Sequence, residues 1–129
     1  MFQQKQTMIY LQAEMYTLFL EKKYRPHLKL EDLPFYKDGG AWQRQLHIYL
    51  YPLYYIDYCM AQTVAFQFFI LSLKDYDKAF EKYLAFVDLA GTKTFEGLVK
   101  SADLMLPYEK DCLKETADQI AKWLEENSI

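Results

Sequence analysis

Histidine is almost missing from this chain of 129 residues: it has only His27 and His47, twenty positions apart, and no His-Glu-x-x-His run. A helix-borne zinc site needs two imidazoles one turn apart and a further ligand from elsewhere, so the sequence spells out no metal site of its own. Glycine is scarce too. Gly39-Gly40 and Gly91 are too sparse for a phosphate-cradling loop, and no Gly-x-Ser-x-Gly elbow presents a serine nucleophile. Cys59 and Cys112 stand apart from each other and from any histidine that would argue for a thiolate pair. Without a Cys-x-x-Cys spacing they read as reduced thiols of a cytoplasmic protein rather than as a disulfide framework. The first residues, Met-Phe-Gln-Gln-Lys-Gln-Thr, hold no apolar signal core, which also points to the cytoplasm. Charge of one sign is missing as well: the net charge is −3 with acids and bases interspersed, which excludes the clustered basic footprint of a nucleic-acid binder.

Large side chains are what the chain has in abundance. The hydrophobic fraction of 52% excludes a disordered tail, and the 12 Tyr and 9 Phe bring both buried area and hydroxyls that want partners. The length suits one core, so a single helical domain over residues 1–129 is expected. From Tyr58 to Leu73 there is no charged residue, but that run is short of the roughly 20 apolar residues of a membrane span and contains Gln62 and Gln67. It reads as the buried centre of a helical protein.

Periodicity supports an all-α fold, a compact multi-helix bundle, with no alternating β pattern. Met8, Leu11, Met15, Leu18 and Phe19 stripe a first helix over about 2–24. Pro26, Pro34 and Gly39-Gly40 then mark an ordered loop from Arg25 to Gly40. A short helix is expected from Ala41 to Leu50, and Pro52 fits the first turn of a long helix running to about Leu73. Asp75 is placed to cap the next helix, striped by Tyr76, Ala79, Phe80, Tyr83, Val87 and Ala90 and ended by Gly91. Thr94 can cap a shorter one carrying Phe95, Leu98, Val99 and Ala102. Pro107 breaks the chain again, and a last helix from about Glu109 to Glu126 packs through Leu113, Ala117, Ile120 and Leu124.

One stretch stands out for chemistry: Trp42-Gln-Arg44-Gln-Leu-His47-Ile-Tyr-Leu-Tyr51-Pro52-Leu-Tyr54-Tyr55-Ile-Asp57-Tyr58-Cys-Met-Ala-Gln62. On a helix starting at Pro52, Tyr54 and Tyr58 share one face, and Tyr51, Tyr55 and Gln62 an adjoining strip. His47, just ahead, can reach over the first turn. An imidazole beside several phenols makes a row of hydrogen-bond donors suited to a carbonyl that becomes an oxyanion in the transition state. The plainer reading is that these tyrosines are core residues with satisfied hydroxyls, and pattern alone leaves both open.

The Trp-x-Arg-x-x-His-Ile run at Trp42–Ile48, followed by Pro-x-Tyr-Tyr-Ile-Asp-Tyr-x-x-Ala-Gln at Pro52–Gln62, resembles the C-terminal signature of zinc oligopeptidases of the thimet oligopeptidase and oligoendopeptidase F family. Asp75–Tyr83, Ala90-Gly91-Thr92, and Ala102-Asp103-Leu104 with Pro107-Tyr108 are similar to further segments in the same order. The resemblance implies the C-terminal helical part of a two-lobed, all-α metallopeptidase that cleaves short peptides. Zinc would be held by a His-Glu-x-x-His helix and a downstream Glu, neither present in this chain. Carried over residue by residue, it assigns His47 and Tyr58 to catalysis through the oxyanion, Tyr54 and Tyr55 to substrate binding, and Asp57 to a structural hydrogen bond. It also implies that the chain is inactive alone and takes short peptides only when completed by a zinc-bearing N-terminal part. The other reading is a non-catalytic helical interaction module that self-associates, covering its exposed apolar surface with a second copy. A homo-oligomer or a partner fragment is therefore expected, with neither nucleic acid nor membrane as partner.

Overall fold

A computed structural model describes residues 2–29 and 32–128, giving the backbone alone for residues 2–7 and 9. Among them there are seven α-helices, one 3-10 helix and no strand, so the fold is all-α. They fall into two compact units, one reaching Tyr55 and the other starting at Ile56.

The first unit is built on α1 (Phe2–Tyr24), followed by α2 (Pro34–Lys37), the 3-10 helix Gly40–Arg44 and α3 (Leu46–Leu50). Most of the expected apolar stripe of α1 does not face this unit: Met8, Leu11, Met15 and Phe19 are exposed, while Leu18 is half-buried beside Arg25, Leu28 and Lys37. The chain meets α1 along a different strip, at Tyr10 and Glu14, and glycine is the reason. Gly39 (φ 84°) lies so close to the α1 backbone that a Cβ there would come within 2.3 Å of the Glu14 carbonyl oxygen. Only a residue without a side chain allows that approach and that φ together. The Arg25–Gly40 loop contains α2, entered through Pro34, whose missing N–H costs little at a helix start. Arg44 Nη1 donates to the Tyr36 hydroxyl at 2.7 Å while its guanidinium lies 5.6 Å from the centre of that ring. The helix expected from Ala41 to Leu50 is divided, because Gln45 is extended (φ −81°, ψ 96°).

The second unit contains α4 (Ile56–Lys74), α5 (Tyr76–Asp88), α6 (Phe95–Ser101) and α7 (Cys112–Asn127). α4 starts four residues later than the Pro52 start expected. Proline pushes the residue before it out of the helical region, and Tyr51 is non-helical accordingly (φ −137°, ψ 69°). Leu53 then takes a left-handed φ of 71°, with the Tyr54 N–H donating to the Tyr51 carbonyl at 3.1 Å. This is the φ > 0 that a type II turn, with proline second, requires of its third residue.

The core gathers Val64 and Phe68 of α4, Val99 of α6, and Ala102, Leu104 and Leu106, with Leu71, Phe86 and Phe95 packed on it. Phe68 meets Tyr83 and Phe86 edge-on at 5.5 and 5.3 Å between ring centres. Gln67 explains the amide in an apolar run. Its Nε2 donates to the Met105 carbonyl and its Oε1 accepts from the Met105 N–H, both at 2.9 Å. That closed pair fixes the loop after α6 against α4, and satisfies backbone groups that no helix could. Cys112, 1% exposed, lies beside it, and burial raises its thiol pKa. The two expected caps form: Asp75 accepts from the Lys78 N–H and Thr94 from the Gly97 N–H, each at 3.2 Å.

α4 is the one helix among the described residues long and apolar enough to cross a membrane. It packs on α5 and α7, yet burial is confined to Thr63, Val64, Phe68 and Ile70, because its neighbours cover one side of it. The α7 stripe is likewise half uncovered. Leu113, Ala117, Ile120 and Leu124 line an open apolar groove of about 350 Å³ with Thr63 and Phe66.

Candidate functional site

The stretch singled out for chemistry lies across the end of the first unit and the start of the second. His47 is half-buried on α3. That helix has no side-chain cap and stops at Leu50, where the Tyr51 N–H still donates to the His47 carbonyl at 2.9 Å. The turn at Pro52-Leu53 then folds the chain back, so that the next two tyrosines return to the imidazole. The His47 ring is stacked with Tyr54 at 6.2 Å and 17°, and tilted against Tyr55 at 5.4 Å and 45°. Tyr51 adds a tilted contact to Tyr54 at 6.3 Å.

Three of the four sequence-derived site residues, His47, Tyr54 and Tyr55, therefore come together within the first unit. The fourth, Tyr58, lies in the first turn of α4, in the other unit. The shared helical face expected for Tyr54 and Tyr58 does not exist, because the turn holds Tyr54 outside the helix. Tyr54, Tyr55 and Tyr58 are each about half exposed in this chain (48%, 46% and 51%). Asp57 also sits in the first turn of α4, where the helix dipole favours a carboxylate. His27 lies away from this cluster in the Arg25–Gly40 loop and is exposed.

An imidazole N–H and phenol O–H groups gathered at a surface can hold a peptide carbonyl and neutralise charge that develops on its oxygen. A metal is a different matter. Among the described residues no three His, Cys, Asp or Glu side chains come together as a ligand set, so they do not fit a zinc ion. Cys112 is no substitute ligand or nucleophile, since burial favours its neutral thiol.

Trp42 opens the motif. Its ring is stacked with Tyr10 of α1 at 6.5 Å and with Tyr49 of α3 at 6.0 Å. The signal was its place five residues ahead of His47; the partner on α1 had no local signature.

No family model and no curated protein matches the chain. Two solved structures do. One is an X-ray structure of a protein described as oligoendopeptidase F, similar to this chain at 40% identity with a TM-score of 0.77, over 84% of this chain and 19% of that one. The other is PZ peptidase A, solved with an inhibitor, at 39% identity and a TM-score of 0.77 over the same shares. The chain spans about a fifth of the length of the proteins it matches.

Proposed function

Since this chain belongs to the oligoendopeptidase F family, as a segment about a fifth of its solved members' length, we propose that it is the C-terminal part of a peptidase acting on short peptides. It contributes the side chains that bind the peptide and stabilise the oxyanion. The observation that carries this reading is the packing of the His47 ring against Tyr54 and Tyr55, in the segment whose motif marks the family. Tyr58 enters the reading through its position in that motif.

His47 and Tyr58 donate to the carbonyl oxygen as the scissile carbon becomes tetrahedral, and hydrogen bonds that strengthen as charge develops lower the barrier. Tyr54 and Tyr55 present ring faces and hydroxyls that orient the peptide backbone. Zinc, when bound in the family's proteins, supplies Lewis acidity and an activated water. Its ligands come from another segment, so this chain alone does not hydrolyse peptides. The apolar side chains exposed along α4, α5 and α7 support a covering partner, and the free thiols of Cys59 and Cys112 support a reducing, cytoplasmic setting.

The test is complementation. The purified chain is mixed with a segment bearing the His-Glu-x-x-His helix and zinc, and cleavage of a short fluorogenic peptide is followed. The mixture is expected to cleave where neither part does. His47→Ala or Tyr58→Phe should then lower kcat by about 100–1000-fold, the range for loss of an oxyanion donor, while Tyr54→Phe and Tyr55→Phe act mainly on KM. Full activity with both His47→Ala and Tyr58→Phe would falsify the assignment.

A further inference from the structure

We infer that Trp42 is the positioning residue for His47, through a stack that ties α3 to α1; its bearing on catalysis rests on the peptidase reading above. The chain around Trp42 is fixed to α1 at three places. The Gly39 backbone lies against that of Glu14, Gln43 Nε2 reaches Glu14 Oε1 at 3.4 Å, and the Trp42 indole is stacked with Tyr10, 6.5 Å between ring centres and 20° between planes. In the other direction Trp42 holds α3. Tyr49 is stacked on it at 6.0 Å and 25°, and the Trp42 carbonyl accepts from the Gln45 N–H at 3.0 Å where α3 begins.

α3 depends on such an anchor. It is five residues long, lacks a side-chain cap and buries no residue of its own, and a single turn of helix does not hold itself. Two residues along a helix turn through about 200°. With Tyr49 held on Trp42, His47 is therefore directed to the opposite side of α3, where Tyr54 and Tyr55 meet it. The indole N–H of Trp42 is buried and has no acceptor among the described residues. The contacts that tie Trp42 to both helices are made by the faces of its ring.

Phenylalanine should therefore substitute for Trp42 and alanine should not. The chain has two histidines, and NMR of their imidazole protons reads His47 directly, with exposed His27 as the internal reference. In Trp42→Phe the His47 resonances should stay close to those of the parent chain. In Trp42→Ala, and independently in Tyr49→Ala, they should move toward those of a free imidazole while His27 and the Val99 methyls of the second unit stay put. Tyr49 is 54% exposed, so its replacement breaks the stack without emptying a core, and keeps the test open should Trp42→Ala fail to fold. In the complemented enzyme both alanine variants should lose about 10–100-fold in kcat, the cost of misplacing a catalytic group by about 1 Å, with KM little changed and Trp42→Phe near normal. Unmoved His47 signals in Tyr49→Ala, or a Trp42→Phe chain as displaced as Trp42→Ala, would overturn the inference. Displaced signals together with an activity indifferent to His47→Ala would leave the positioning intact and sink the peptidase role instead.

Discussion

Replacing Gln67 by methionine keeps the volume of the side chain but leaves the Met105 N–H and C=O without their 2.9 Å partners. Two part-buried backbone groups lose their hydrogen bonds at once, and the expected cost is about 2 kcal/mol, read as a lower urea midpoint. An unchanged midpoint would mean that water serves Met105 equally well. The amide was visible in the sequence as an oddity on an apolar run; its partner 38 residues away was not. Leu53 presents the converse case. It is 93% exposed and holds φ 71°, a conformation that a branched side chain resists and asparagine tolerates. Leu53→Asn should stabilise the chain by about 0.5–1 kcal/mol, seen as a raised thermal midpoint. A lowered midpoint would show that the leucine makes a contact that matters.

At the level of elements, the sequence was most legible where helix ends are written locally. Asp75 and Thr94 cap the helices that follow them, since a cap and its N–H donor lie three residues apart. The boundary between α3 and α4 was illegible because it depends on the φ of Leu53, which leucine does not advertise. The exposed stripe of α1 was missed for a related reason: periodicity identifies an apolar strip, whereas the approach of Gly39 to Glu14 decided which strip meets the rest of the unit. The Asp75 cap also carries a pH dependence. Its side-chain and backbone bonds with Lys78 hold its pKa below the usual value. The stabilisation is complete above the unfolded pKa of aspartate and is lost as the pH falls through the lower folded value. Asp75→Asn keeps an acceptor without the titration, so its thermal midpoint should fall less on acidification than that of the parent chain. Parallel pH profiles for the two would contradict this.

Across the whole molecule, the sequence carried the helical class and the His47–Tyr55 grouping, because the motif is contiguous. It did not carry how much apolar surface stays uncovered. Leu113, Leu124, Phe66 and Phe80 were expected to be inside, yet each is exposed, since a burial pattern says that a residue wants cover and not which chain provides it. Adding the complementing segment should slow amide hydrogen exchange in α4 and α7 around the groove they line. Exchange unchanged in both helices, under conditions where activity is restored, would place the partner elsewhere.

The two tryptophans are divided between the units: Trp42 is in the first, and Trp123 lies edge-on to Phe69 in the second at 5.1 Å. Each half of the chain thus carries its own intrinsic fluorophore. A Trp42→Phe chain emits from α7 alone and a Trp123→Phe chain from the aromatic stack alone, so the melting of each half has its own optical signal without any added label.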